Sequence, residues 1–175
     1  MSIHLEKISW ENYYKVLKLR VTKEQENYVA SNKASLIHAF VETYTNNTPV
    51  WAFAIMNGKT IVGFIQLMYD NDWTGEERDD WLNSEEYKKY EDKPYYYIWR
   101  FMIDKRFQGR GYGKESFKQA LDFIKTFPSG KADYVLLSYE PENGVSKKLY
   151  ASFGFEEVFL EYLHEGDEVT AMLKL

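Results

Sequence analysis

Residues 100–118 read Arg100-Phe-Met-Ile-Asp-Lys-Arg-Phe-Gln108-Gly109-Arg110-Gly111-Tyr112-Gly113-Lys114-Glu-Ser-Phe-Lys118. An apolar strand runs into a glycine-rich turn, and the turn opens a helix. That order builds a cradle for phosphate. Alternating glycines let the backbone approach a ligand closely, and the first amides of a helix have no partners within it. Those N–H groups and the positive end of the helix dipole suit an anion. From Lys105 to Lys118 there are five basic residues against one acid, Glu115, in a chain whose net charge is −5. A basic island around a glycine turn in an acidic protein points to a phosphate-bearing ligand.

The spacing narrows the ligand. A Walker loop needs Gly-x-x-x-x-Gly-Lys-Ser/Thr, and neither that spacing nor a Ser/Thr after Lys114 is present. The dinucleotide fingerprint Gly-x-Gly-x-x-Gly is also missed, because the third glycine comes one residue early. What stands here is Gln108-x-x-Gly111-x-Gly113. It resembles the acetyl-CoA pyrophosphate loop of the GCN5-related N-acetyltransferases, Arg/Gln-x-x-Gly-x-Gly/Ala.

A second motif lies downstream: Ser138-Tyr-Glu-Pro141-Glu-Asn143-Gly-Val-Ser146-Lys-Lys-Leu149-Tyr150-Ala-Ser-Phe-Gly154-Phe155. It resembles that family's later segment, a strand followed by Asn-x-x-Ala-x-x-x-Tyr-x-x-x-Gly-Phe. Asn143 is suited to cap a helix on which Val145, Leu149 and Phe153 form one stripe. Tyr150 lies seven residues after Asn143, about two turns on. In the family the matching tyrosine protonates the departing CoA thiolate. Ser146 stands where the family usually has alanine.

Composition sets the outer bounds. At 175 residues the chain fits one domain spanning 1–175, with a single substantial core. A hydrophobic share of 45% and a charged share of 28% are those of a soluble globular protein. No apolar run approaches the roughly 20 residues of a membrane span. The first residues lack a basic-then-apolar signal region, so a cytoplasmic protein without a membrane role is expected. There is no cysteine, which excludes a thiol nucleophile and an acetyl-cysteine intermediate. The three histidines, His4, His38 and His164, have no metal-ligand spacing, so no metal is expected. The acidic total argues against nucleic acid as a partner.

Outward from the glycine turn, the pattern predicts strands at Ile3–Ile8, Val50–Met56, Thr60–Tyr69, Tyr95–Ile103 and Tyr134–Tyr139. Asn57-Gly58 predicts a two-residue hairpin turn. Ser9 predicts the cap of a helix through Tyr13, Val16, Leu17 and Leu19. A second helix over Ala34–Tyr44 carries Leu36, Ile37, Phe40 and Val41 on one face. The helix after the glycine turn runs to about Thr126, where Pro128-Ser-Gly130 stops it. A final hairpin pairs Glu156–Leu163 with Glu168–Leu173. Residues 70–92 carry ten acids and three bases, with a short helix possible over Glu77–Tyr90.

This α/β (α+β) order resembles the family's fold over nearly the whole chain. The resemblance implies a mixed seven-stranded sheet, splayed between Tyr95–Ile103 and Tyr134–Tyr139, with flanking helices. It implies that the pantetheine of acetyl-CoA, the cosubstrate, pairs with the backbone of Phe101, Met102 and Ile103. The backbone N–H of Met102 or Ile103 would polarise the thioester carbonyl. The pyrophosphate would lie on the amides of Gln108, Gly109, Arg110, Gly111, Tyr112, Gly113 and Lys114. Asn143 and Ser146 would complete the cofactor contacts, and Tyr150 would act as the acid. Relatives often form a homodimer, which the C-terminal hairpin would suit.

The acceptor implied is a small-molecule primary amine attacking acetyl-CoA directly. Across the chain the sequence is most similar to bacterial spermine/spermidine acetyltransferases, above all in Leu19-Arg-Val-Thr-Lys-Glu-Gln25-Glu-Asn-Tyr28-Val29-Ala-Ser-Asn32. An acidic segment beside the cleft would concentrate a polyamine such as spermidine. Such enzymes often carry a carboxylate where this chain has Trp99. Glu140, Glu142 and the acids of 70–92 are then the candidates for the proton acceptor. Another small amine or a peptide N-terminus, and a CoA-binding module without catalysis, are the competing readings.

Overall fold

A computed structural model describes residues 2–70, 84–90 and 93–175. Seven strands form one mixed sheet: β1 Ile3–Lys7, β2 Val50–Asn57, β3 Thr60–Asp70, β4 Tyr95–Ile103, β5 Tyr134–Tyr139, β6 Glu156–Val158 and β7 Val169–Lys174. Their order in the sheet is β1-β2-β3-β4-β5-β7-β6. β1/β2, β2/β3, β5/β7 and β6/β7 are antiparallel, and β4/β5 is parallel. The β4/β5 register covers only Tyr95–Tyr97 against Tyr134–Leu136. Among the described residues four α-helices accompany the sheet: α1 Tyr13–Val16, α2 Asn32–Asn46, α3 Tyr112–Ile124 and α4 Gly144–Ala151. None of the helices among the described residues is long and apolar enough to cross a membrane.

The chain divides into two compact units, Met1–Met68 with Ile98–Ser129, and Tyr69–Tyr97 with Gly130–Leu175. In the first, Val16, Leu19, Ala54, Met56, Phe64 and Met102 make one buried cluster. Helix α3 buries Phe117, Ala120, Leu121 and Ile124, an i, i+3, i+4, i+7 stripe. Phe117 meets Phe101 edge-on with ring centroids 5.5 Å apart. Each such aromatic or aliphatic side chain contributes about 1.5–3 kcal/mol by leaving water. Gly63 lets β3 pass close to β4: a Cβ there would lie 2.4 Å from the Met102 carbonyl oxygen.

The second unit is built largely from tyrosines. Tyr87, Leu136, Phe159 and Met172 are its buried cluster, with Tyr90, Tyr95, Tyr134 and Tyr162 packed around them. Tyr96 is fully buried, and its hydroxyl donates to the Gly130 carbonyl at 3.0 Å. A phenol satisfied in this way buries its ring without leaving the hydroxyl unpaired.

Several expected elements differ from the observed ones. The helix after Ser9 is a single turn, α1, because Asn12 is buried and bonds backward, donating to Glu6 and to the Lys7 carbonyl, both at 2.9 Å. The β2/β3 turn is Gly58-Lys59, one residue later than expected, since Asn57 pairs with Thr60. Of the expected apolar face of helix α2, Leu36 packs against the Val16 cluster, but Ile37, Phe40 and Val41 are 51%, 67% and 51% exposed. The buried residues of α2 are Asn32 and Ser35. Asn32 Nδ2 donates to the Val16 carbonyl at 2.9 Å, and that bond sets the face turned inward. Strand β6 stops at Val158, because buried Phe159 takes a left-handed backbone (φ 59°) and begins a 3₁₀ turn over Leu160–Tyr162. The helix expected over Glu77–Tyr90 lies partly outside the described residues; within them, Tyr87–Lys89 is a 3₁₀ turn. Most of the acidic segment 70–92 lies outside them too.

Candidate active site

The glycine turn is anchored before it reaches the helix. Asp104, the residue after β4, is 2% exposed. Its carboxylate accepts from the backbone N–H of Arg20 (3.0 Å) and of Arg106 (3.0 Å), and from Arg106 Nε (2.7 Å) and Nη2 (3.2 Å). Burial alone would raise the Asp104 pKa. The hydrogen bonds from Arg106 and Arg20 and the guanidinium charge outweigh it and hold the carboxyl below its ordinary value. Gln108 braces the other side: its Nε2 donates to the Ile103 carbonyl (2.9 Å) and to Gln25 Oε1 (2.8 Å), an oxygen that also accepts from Thr22 N–H (3.2 Å).

The loop thus held turns through Gly109 and Gly111, both left-handed (φ 72° and 78°). Gly111 is the N-cap of α3. The amides of Tyr112, Gly113 and Lys114 form the first helical turn, with no carbonyl four residues back inside the helix. Glu115 is the first to reach one, Gly111 O at 3.2 Å. A Cβ at Gly109 would meet no heavy atom within 4 Å, so its glycine answers the backbone angle rather than crowding. This geometry fits a diphosphate.

The basic island is less uniform than its sequence implies. Arg106 is spent on Asp104, and Lys118 pairs with Asp122 at 2.6 Å. Lys105, Arg110 and Lys114 are exposed. The hydroxyl of Tyr112 accepts from Asn57 Nδ2 at 3.1 Å, so that side chain ties α3 to β2.

In the same unit, residues 19–32 fold around a cavity of about 280 Å³. Leu19, Arg20, Glu26, Val29, Asn32 and Met102 are among its lining. Arg20 Nη1 is turned back to the carbonyls of Leu17 (2.7 Å) and Leu19 (2.8 Å).

In the second unit, Asn143 caps α4 as its sequence predicts, its Oδ1 accepting from Ser146 N–H at 3.1 Å. Of the expected Val145–Leu149–Phe153 stripe, Leu149 and Phe153 are half-buried but Val145 is 74% exposed, and the buried residue of α4 is Tyr150. Rings of Tyr139 and Phe155 lie 5.6 and 6.2 Å from that of Tyr150. Burial pushes the Tyr150 phenol up to about 12. A hydrogen bond from the Ser146 hydroxyl opposes that rise, while Tyr97 and Glu168 add to it. The Tyr97 hydroxyl lies 2.7 Å from Ser138 Oγ, and the Ser138 hydroxyl in turn donates to Glu168. Glu140 is raised from its ordinary value by burial first, then by the charges of Glu168 and Glu142.

The sequence profile of the Acetyltransferase (GNAT) family matches residues 5–155. The chain belongs to the GNAT acetyltransferase family. As a member, the acetyltransferase takes acetyl-CoA as its donor. It is similar to the spermine/spermidine N(1)-acetyltransferase of Bacillus subtilis (strain 168), 27% identical over 156 residues that cover 89% of each chain. Among solved structures, the spermidine N-acetyltransferase from Vibrio cholerae in complex with CoA and spermine matches with a TM-score of 0.64 at 15% identity, covering 98% of this chain and 95% of that one. The aminoglycoside acetyltransferase AAC(6')-Ib in complex with CoA and kanamycin matches at 0.69 and 13%, covering 99% and 95%. At these identities the two structures speak for the fold.

The acetyltransferase thus carries Phe101, Met102, Ile103 and residues 108–114 in one unit, and Asn143, Ser146 and Tyr150 in the other. Sequence reasoning passed over Asp104, Gln25, Ser138 and Glu168. Asp104 directly follows a strand and precedes two bases, the one available hint of an anchor; the contacts Gln25–Gln108, Tyr97–Ser138 and Ser138–Glu168 each join residues 30 or more positions apart. No group of three His, Cys, Asp or Glu side chains suited to a metal occurs among the described residues.

Proposed function

We propose that this acetyltransferase transfers the acetyl group of acetyl-CoA to a primary amine of a polyamine, by direct attack and without an acetyl-enzyme. The observation that carries the acceptor is the cavity walled by residues 19–32. That stretch is among those that resemble spermine/spermidine acetyltransferases, and the Bacillus subtilis relative is named for those substrates. Glu26 lines the cavity and offers a carboxylate to an ammonium group. Attraction of this kind concentrates a multiply charged amine and weakens with salt.

On the donor side, the main-chain amides of Gly109 to Lys114 hold the diphosphate, with Arg110 and Lys114 adding charge. Gln108 serves the site by fixing the loop. Pantetheine pairs with the backbone of Phe101, Met102 and Ile103, and an N–H of that strand polarises the thioester carbonyl. Asn143 and Ser146 set the start of α4, and Ser146 also touches Tyr150. Tyr150, protonated at neutral pH because its pKa is raised, gives its proton to the CoA thiolate. The amine must first lose a proton, which costs about 4–5 kcal/mol at pH 7 for an amine of pKa about 10.4. The profile match over 5–155 draws on both units, which supports one catalytic domain over 1–175.

The test is thiol release from acetyl-CoA across a panel of spermine, spermidine, aminoglycosides, amino acids and peptides. Polyamines are expected to give the highest kcat/KM. Turnover with another class and none with polyamines would replace the acceptor.

A further inference from the structure

We propose that Tyr97, Ser138 and Glu168 form a proton relay that receives the proton of the acceptor ammonium and passes it to solvent. The proposal rests on the amine-acetylation reading and supplies the proton acceptor that Trp99 does not.

The direction of the chain follows from counting protons. A serine hydroxyl has one proton and two acceptor lone pairs. Ser138 spends its proton on the Glu168 carboxylate, which has none to give when ionised. The 2.7 Å contact with Tyr97 must therefore be donated by the phenol. Every bond of the chain then points from Tyr97 to Glu168, so a proton delivered to the Tyr97 oxygen can be passed along it. Glu168 is exposed, so the exit end meets water. The acid of the reaction lies close to the chain: the Tyr150 ring is 5.6 Å from that of Tyr139, the neighbour of Ser138 on β5, and Tyr97 and Glu168 both add to the rise of its pKa. Those elements converge because Ser138 on β5 pairs with Thr170 on β7, which brings Glu168 alongside β5.

An ammonium N–H bond breaks as the Tyr97 oxygen takes the proton. Tyr97 gives its own proton to Ser138, and Ser138 gives its proton to Glu168. The amine nitrogen, now with a free lone pair, attacks the thioester carbonyl. As the C–S bond breaks, the sulfur takes the proton of Tyr150. The second nitrogen proton restores Tyr150, and Glu168 releases the first to water. One proton leaves the protein per turnover, as N-acetylation of an ammonium requires.

The titratable groups around Glu168 are Tyr97 from β4, Glu140 from the segment after β5, Tyr150 from α4 and Asp167 on its own turn. Glu168→Gln also removes the charge that raises Glu140 and Tyr150, whereas Ser138→Ala keeps it, so a loss shared by both variants reports the relay. The experiment is the pH profile of kcat for wild type, Glu168→Gln, Ser138→Ala and the double variant. Each is run with acetyl-CoA and whichever amine turns over fastest. Which amine that is answers the acceptor reading; the ratio of variant to wild type answers the relay.

The amide introduced by Glu168→Gln retains an acceptor for Ser138 but takes up no proton, so a merely structural role survives the change. Near pH 7 we expect kcat to fall about 10²-fold in each single variant, with the KM for acetyl-CoA unchanged. The loss should shrink toward pH 10, where the amine is neutral without help. The double variant should be no worse than either single one, because both break one chain. A Glu168→Gln loss below threefold, or one equal at every pH, would overturn the relay.

Discussion

Asp104 and Arg106 are joined through both carboxylate oxygens, Nε to Oδ1 at 2.7 Å and Nη2 to Oδ2 at 3.2 Å, at the point where β4 ends and the glycine turn begins. The carboxylate is buried and the arginine side chain 63% exposed. The value of the pair therefore lies in the two backbone N–H groups that Asp104 also satisfies, rather than in exposed charge. Replacing Asp104 by Ala orphans those donors, at about 1–3 kcal/mol each if they stay buried. The urea midpoint of Asp104→Ala is expected to fall and the CoA Kd to rise, because the loop loses its anchor.

The same residue gives an acid signature. A carboxyl held below its ordinary value in the folded state stabilises fully above its unfolded pKa, about 3.9. That contribution is lost as pH falls through the lower folded value. Wild-type stability should therefore decline below about pH 4 more steeply than that of Asp104→Asn, which has no proton to take up. Urea titrations at stepped pH measure the two slopes.

Gly111 sits at φ 78° at the head of α3. A branched side chain there is strained by about 1–3 kcal/mol and stands among the amides assigned to the diphosphate. Gly111→Val is expected to weaken CoA binding more than about tenfold, or about 1.4 kcal/mol, by calorimetry. Circular dichroism should still show folded protein.

Tyr150→Phe removes the proposed acid while leaving the ring in its place between Tyr139 and Phe155. The expected result is a fall in kcat of about 10²–10³ with CoA affinity within about twofold. Because burial pushes this phenol up to about 12, it keeps its proton through neutrality and loses it only well into the alkaline range. Wild-type kcat should show no Tyr150-dependent fall between about pH 7 and pH 10, read from stopped-time thiol release.

Gly63→Ala tests the packing of β3 on β4. Its Cβ would lie 2.4 Å from the Met102 carbonyl and 2.9 Å from Ile103 Cδ1. Backbone cannot yield as a side-chain tip can, so a loss of about 1–3 kcal/mol in urea unfolding is expected.

The strands that frame the chemistry were legible residue for residue: Tyr95–Ile103 and Tyr134–Tyr139 carry dense β-forming aromatics and aliphatics bounded by breakers. The Asn143 cap was legible because its partner, Ser146 N–H, is three residues away. Periodicity failed on α2 for a different reason. It says which residues share a face, here Ile37, Phe40 and Val41, but not which face the rest of the molecule covers. A buried Asn32 bonded to Val16 decided that, and no local pattern marks such a pair. Gln25 and Gln108, 83 residues apart, and Ser138 and Glu168, 30 apart, are equally silent in sequence. The polar partners that hold the glycine turn emerged only once the chain was folded.

The most direct measurement is a crystal structure with acetyl-CoA bound. The diphosphate oxygens should lie within hydrogen-bonding distance of the amide nitrogens at the head of α3, Gly111, Gly113 and Lys114 among them, with the thioester sulfur beside the Tyr150 hydroxyl. A diphosphate seated away from that turn, or a sulfur remote from Tyr150, would contradict the assignment of the site.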